Sequence, residues 1–221
     1  MLGLIWEMLP SGVVKMKLDY KVIATGSTGN AVRIENIMID CGISFKDMKE
    51  DLYKVDTLLI THSHGDHVKP ATFNNIRKEF PRIKVYGNAD VAYQFDVDIV
   101  IGTAKLTLPK KRIVIPFEGK HDVPVTGFII QMKKLNILYM TDTSEVNPPS
   151  GFPLDYVFLE SNYDERKLQE LGKQYRRRGY DPRISSVTRH LSTQKCKEFY
   201  YLNRRSKESE LIELHQSNRF Y

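Results

Sequence analysis

From Met16 onward short β-prone apolar runs are separated by polar, turn-forming clusters, and this pattern predicts strands. Tyr20–Ala24 and Ala31–Asp40 read as β-prone runs joined by the turn-forming cluster Thr25-Gly26-Ser27-Thr28-Gly29-Asn30. Phe45–Tyr53 reads as a short helix, and Thr57–Thr61 as a compact apolar strand that stops at a histidine-rich segment. Pro70 then opens a helix to about Phe80, with Phe73, Ile76 and Phe80 at helical spacing. Further strands are predicted at Ile83–Tyr86, Arg112–Phe117, Gly127–Gln131, Ile137–Thr141 and Tyr156–Leu159. The turn Lys133-Lys134-Leu135-Asn136 makes a hairpin of the third and fourth of these. Helices are predicted at Asp164–Tyr175, Thr193–Leu202 and Ser206–His215. Two strand-rich blocks, each followed by helices, imply an α+β fold with two sheets face to face and helices outside.

Residues 1–15 stand apart, because Pro10, Ser11 and Gly12 break any regular element. Either Met16 is the natural start and the preceding residues are an extension, or a short helix docks Ile5 and Trp6 on the domain. Residues 16–221 read as one domain, long enough to bury a core unaided.

Composition adds a bias in partner. Lys and Arg total 33 against 27 Asp and Glu, a net charge of +6. That excess fits an anionic partner, nucleic acid first, or simply a solvated basic surface. It is concentrated between Arg166 and Arg183, where Lys173, Arg176, Arg177 and Arg178 are interleaved with Tyr175 and Tyr180, a pattern suited to phosphate contact and base stacking. The two cysteines, Cys41 and Cys196, form no C-x-x-C pattern, which fits a reducing compartment. No apolar run is long enough to span a bilayer, and Leu2–Leu9, which carries Glu7, makes a poor signal peptide. The expected setting is cytoplasmic and away from membranes; oligomeric state is not legible.

The chemistry concentrates in His62-Ser63-His64-Gly65-Asp66-His67, the pattern H-x-H-x-D-H. Four ligand-type side chains in six positions, at the end of a buried strand, point to a metal. Imidazole plus carboxylate suits zinc, with manganese or iron as alternatives. Gly65 is expected to allow the tight path between His64 and Asp66. His62 and His64 can clasp one ion, and Asp66 and His67 can serve a second. Neither half is complete, so further ligands must come from later in the chain. His121 follows a strand, Asp142 follows the strand Ile137–Thr141 directly, and His190 precedes a helix. His215 is expected to face solvent on a charged helix.

This order of motifs resembles the metallo-β-lactamase fold, a four-layer αββα sandwich of dinuclear hydrolases, over nearly all of residues 17–202. Ser27-Thr28-Gly29-Asn30, Ile39-Asp40-Cys41-Gly42, Glu160-Ser161-Asn162-Tyr163-Asp164 and His190-Leu191-Ser192 are similar to the bacterial YycJ/WalJ-like group of DNA exonucleases, which implies DNA ahead of RNA as the partner. The resemblance implies two divalent ions, His62, His64 and His121 on one, Asp66, His67 and His190 on the other, and Asp142 between them. It implies Asp40 as a carboxylate orienting the ligand loop; Asp122 and Glu160 are candidates for similar support. The implied reaction is attack on a phosphodiester by metal-activated hydroxide, with Asp66, Asp142 and Arg189 beside the reacting atoms. Two positions depart from the group: Tyr163 stands where a histidine is usual, and Arg189 where a glycine is usual. The leaving-group acid stays open between Tyr163, Arg189 and a bound water. Only 47 residues lie between Asp142 and His190, too few for the large second domain some nuclease relatives insert there. Other readings are an ester, thioester or lactone hydrolase on the same scaffold, and a non-catalytic metal- or DNA-binding module.

Overall fold

The computed structural model describes residues 6–8, 14–175 and 188–217. Two short strands, β1 (Trp6–Met8) and β2 (Val14–Met16), pair antiparallel with Trp6 opposite Met16, so Trp6 lies on a strand and not on a docking helix.

The first large sheet contains β3 (Tyr20–Ala24), β4 (Ala31–Ile34), β5 (Ile37–Ile39), β6 (Thr57–Ile60), β7 (Lys84–Gly87) and β8 (Ile99–Val100), side by side in that order. The run expected to continue from Ala31 to Asp40 is broken into a hairpin at Glu35, whose φ of +52° turns the chain back. From β5 to β8 the strands are parallel. The crossovers carry α1 (Phe45–Leu52), α2 (Pro70–Glu79) and α3 (Ala89–Gln94).

The second sheet runs β9 (Leu106–Leu108), β10 (Arg112–Glu118), β11 (Thr126–Met132), β12 (Leu135–Met140), β13 (Tyr156–Glu160) and β14 (Glu210–Leu214). Strands β12, β13 and β14 are parallel. The helices α4 (Glu165–Tyr175) and α5 (Thr193–Asn203) connect β13 to β14. β14 replaces the helix expected at Ser206–His215. Ile212 and Leu214 face the inter-sheet core while Leu211 faces the outer cluster, an alternation that only a strand gives. Five residues were too few for periodicity to decide. α3, β8 and β9 were not foreseen either.

The two sheets stack because both faces of each are apolar. Ile37, Ile39 and Leu59 meet Tyr139, Tyr156 and Phe158 in the middle. Their neighbours Met38, Leu58 and Ile60 pack outward with Met48, Phe73 and Ile76, from α1 and α2. Leu138, Met140, Val157 and Leu159 pack outward with Cys196 and Tyr200 of α5. The result is the expected αββα order, with both cysteines free and buried. Among the described residues no helix is long and apolar enough to cross a membrane.

One charged contact ties an outer layer to its sheet. Arg33 of β4 is nearly buried and bonds Asp51 of α1 at 3.1 Å and Asp19 at 2.9 Å. Lys21 reaches Asp51 at 2.7 Å. Burial disfavours the Asp51 carboxylate, but Lys21 and Arg33 outweigh it and hold its pKa below the ordinary value. We predict that Arg33→Ala costs about 2–3 kcal/mol at neutral pH, read from the urea midpoint, because Asp51 keeps only Lys21. A depressed carboxylate pKa contributes stability above its unfolded value and loses it as the pH falls through the folded value. The gap between variant and wild type should therefore narrow below roughly pH 4.

Candidate metal centre

The parallel strands bring their carboxyl ends to one edge of the sandwich, and the chemistry collects there. Three strand ends turn by the same device. Asp40 after β5, Asp142 just after β12 and His215 after β14 have φ of +61°, +49° and +53°. Asp and His enter this left-handed region more readily than most residues, at a cost on the order of 1 kcal/mol.

Asp40 is completely buried and organises the loop that follows β6. It accepts hydrogen bonds from Thr61 N at 2.8 Å and Thr61 Oγ1, and its Oδ2 lies 2.8 Å from His67 Nδ1. Cys41 N donates to His67 O, Lys69 N to Cys41 O, and Asn30 N to Asp66 O. The Asn30 amide reaches Asp66 O at 3.2 Å and lies 2.9 Å from His67 Nε2, so the Thr25–Asn30 turn is sewn to the same loop. The glycine this packing requires is Gly42, where a Cβ would fall 1.7 Å from Asp66 O. Gly65 shows no positive φ and nothing within 4 Å of an added Cβ, contrary to the expectation that it carries the tight path.

All six histidines of the chain converge here, around Asp142. Asp142 Oδ2 is 3.2 Å from His67 Nε2, 3.6 Å from His62 Nε2 and 3.8 Å from His121 Nε2. His62 Nε2 and His64 Nδ1 are 3.1 Å apart. On the other side, Asp142 Oδ1 is 3.3 Å from His215 Nε2. The donor atoms of His62, His64, His121 and Asp142 form one group within 4.8 Å of one another; Asp66, His67, Asp142 and His215 form a second, and Asp142, Glu160, His190 and His215 a third.

Glu160 stands behind two of these rings. It is completely buried, accepts from Thr143 N at 2.8 Å, and lies 2.6 Å from His190 Nδ1 and 3.1 Å from His215 Nδ1. Burial favours the neutral ring at both histidines, yet the Glu160 carboxylate raises both pKa values. Burial and the neighbouring His67 push His62 down to about 2, which leaves a neutral imidazole with a lone pair for a metal. Burial opposes charge on His67, but Asp142 and Asp40 raise its pKa well above the ordinary value.

The donor set fits a divalent cation on its own evidence. His215 Nε2 is buried and has no hydrogen-bond partner, although a carboxylate oxygen is close by. Such an atom is rare in a folded protein, and a cation between the two would satisfy both.

Residues 35–192 match the family described as the Beta-lactamase superfamily domain. The chain belongs to that family. The His/Asp cluster at the strand ends is a candidate metal site on that family's scaffold. Exodeoxyribonuclease YycJ of Bacillus anthracis is 34% identical over 65 residues, covering 24% of this chain and 25% of that protein. A 3-hydroxylase of Streptomyces venezuelae that acts on a carrier-protein-bound 4-amino-L-phenylalanyl group is 26% identical over 147 residues, covering 52% of this chain and 26% of that protein. The chain thus spans about a quarter of the length of the curated relatives it matches. The short form of human tRNase Z superposes with a TM-score of 0.65 at 20% identity, over 90% of this chain and 93% of that one. These names carry different reactions, so family membership settles the scaffold and not the substrate.

Within this metallo-β-lactamase fold one expectation changes. His215 is 5% exposed at a strand end and not solvent-facing on a helix. The donor atoms of Asp66 and His67 group with His215, and those of His190 group with Asp142, Glu160 and His215. His190 sits one ring further out, stacked on His215 with centroids 5.2 Å apart. Glu210-Leu211-Ile212-Glu213-Leu214 before His215 is compatible with a strand, as Ile137–Thr141 before Asp142 is, but it fits a helix equally well. Tyr163, where the YycJ-like pattern has histidine, is 2% exposed and packs on Leu168. Burial pushes its hydroxyl up to about 12, so it is poorly placed to handle a leaving group. The backbone of Lys173 lies in α4, but its side chain and all of Arg176, Arg177 and Arg178 fall outside the described residues.

Gly42→Ala should displace the Asp66–His67 loop while leaving the outer layers intact. We predict a loss of metal affinity of at least about tenfold, measured by competition with a chromogenic chelator, with little change in the far-ultraviolet circular dichroism.

Proposed function

We propose that the protein is a dinuclear metal-dependent nuclease that cleaves phosphodiester bonds, with DNA as the preferred substrate. The observation that carries this reading is that the three groups of donor atoms all share the single carboxylate of Asp142. His62, His64 and His121 would hold one ion, and Asp66, His67 and His215 the other, with Asp142 common to both. Zinc suits this set best, and manganese or iron can occupy it. Bound there, such ions supply Lewis acidity toward a phosphoryl oxygen and lower the pKa of water.

The chain's own residues do the rest. Asp40 fixes the ring of His67 through Nδ1, which turns Nε2 toward Asp142. Glu160 does the same for His215. Glu160 also accepts a hydrogen bond from His190 Nδ1 and favours the protonated ring, whose partly exposed Nε2–H can then be given up to a departing oxygen. Asp66 is half-open to solvent and serves as a proton acceptor on the attacking side. The net charge of +6 and the basic run through Lys173, Arg176, Arg177 and Arg178 support an anionic polymer as substrate. The exodeoxyribonuclease named among the relatives supports DNA over RNA and attack from an end.

The test is incubation with end-labelled single-stranded DNA, double-stranded DNA and RNA, with zinc or manganese added. Wild type should cleave DNA, and Asp142→Ala should lose at least about a hundredfold in rate. Equal cleavage by both would indicate a contaminant, and turnover of a thioester or lactone but no phosphodiester would overturn the proposal. The two outer histidines separate by metal content. His215→Ala should fall from about two bound ions per chain to about one, by plasma emission, whereas His190→Ala should keep both and lose turnover. Loss of an ion in His190→Ala with none lost in His215→Ala would reverse the assignment.

A further inference from the structure

Arg189 touches the metal-facing histidines in two ways. Its carbonyl oxygen is 3.1 Å from His121 Nδ1, so it accepts that N–H from behind the ring and leaves Nε2 facing Asp142. Its guanidinium Nη1 is 3.0 Å from Asp122 Oδ2. The other oxygen of Asp122 lies 3.0 Å from His121 Nε2 and 3.6 Å from His64 Nε2. The sequence suggested that Asp122 supports an imidazole from behind. The position behind His121 is taken by the Arg189 carbonyl, and Asp122 stands in front, on the face that looks toward Asp142. The side chains of Arg189 and Asp122 are 50% and 32% exposed, so the pair lies at the mouth of the cleft.

A phosphate entering this cleft has two demands. One oxygen must reach the ion that His64 and His121 would hold, and another needs a cation of the protein to neutralise it. The carboxylate of Asp122 already meets both, one oxygen on the histidines and one on the guanidinium. We propose that Asp122 is a built-in stand-in for the substrate's phosphoryl group. It holds Arg189 at the mouth and yields its place when a phosphate binds, after which Arg189 grips that phosphate. Exposed ion pairs are weak and easily exchanged, whereas a guanidinium forked onto phosphate is a stronger contact. Arg189 then selects for an anionic substrate, and Asp122 competes with it. This inference rests on the phosphodiesterase reading above.

Inorganic phosphate is the probe. It is titrated calorimetrically into the metal-loaded full chain as wild type, Asp122→Asn, Arg189→Ala and the double variant, with metal content measured on each. Asp122→Asn should bind phosphate roughly three- to tenfold more tightly, and Arg189→Ala about tenfold more weakly. The gain from Asp122→Asn should vanish in the Arg189→Ala background, since both act through one guanidinium. Arg189→Lys, which keeps the charge and loses the fork, should fall between wild type and Arg189→Ala. Weaker phosphate binding or loss of metal in Asp122→Asn would overturn the proposal, because Asp122 would then be supporting the site. A gain that persists without Arg189 would also overturn it. Wild type that loads metal but neither binds phosphate nor hydrolyses bis(p-nitrophenyl) phosphate would instead bring down the phosphodiesterase reading, and this inference with it.

Discussion

A carboxylate buried between two sheets needs partners aimed at its oxygens, and Asp142 is such a group. It is 3% exposed, and His62, His67, His121 and His215 all direct ring nitrogens at its two oxygens. Burial alone would drive its pKa up; His67 first, then His215 and His62, pull it well below the ordinary carboxylate range. The site is therefore an electrostatic problem that the fold creates and a cation solves. What remains for the polar residues behind the rings is to fix which nitrogen faces inward.

That fixing is done by two buried acids. Asp40 holds the Thr61–His67 end of the first sheet, and Glu160 holds His190 and His215 at the end of the second. Each acid belongs to the sheet whose histidines it orients, so the two halves of the site are built separately and meet at Asp142. The backbone helps by entering the left-handed region at Asp40, Asp142 and His215, which swings each side chain off its strand and into the gap. The scaffold tolerates this strain because the strands beneath are buried on both faces.

A protein with this core can change substrate without changing its metal ligands, since what an incoming molecule meets first is the rim. The rim here carries Arg189 and Asp122, two oppositely charged side chains within 3.0 Å of each other. Position 189 is also where the chain leaves the pattern of the group it resembles. The relatives are named for reactions as different as those of an exodeoxyribonuclease and a hydroxylase, so the scaffold alone does not fix the reaction.

The ligand cluster of the first sheet was legible in the amino-acid sequence because its members are close together: His62, His64, Asp66 and His67 share one loop, and a compact apolar strand runs into it. Asp142 was legible for a similar reason, as a carboxylate directly after an apolar strand, and the αββα order followed from two strand blocks with helices after each. His215 was not. Five residues of alternating character between charged neighbours fit a helix or a strand equally well, and only pairing with β13 makes them a strand that ends at the metals. The roles of Gly42 over Gly65 and of Asp122 in front of its histidine were likewise decided by the tertiary structure. Each depends on what lies across a gap of a few ångströms from a residue distant in the chain, and local pattern carries no record of that separation.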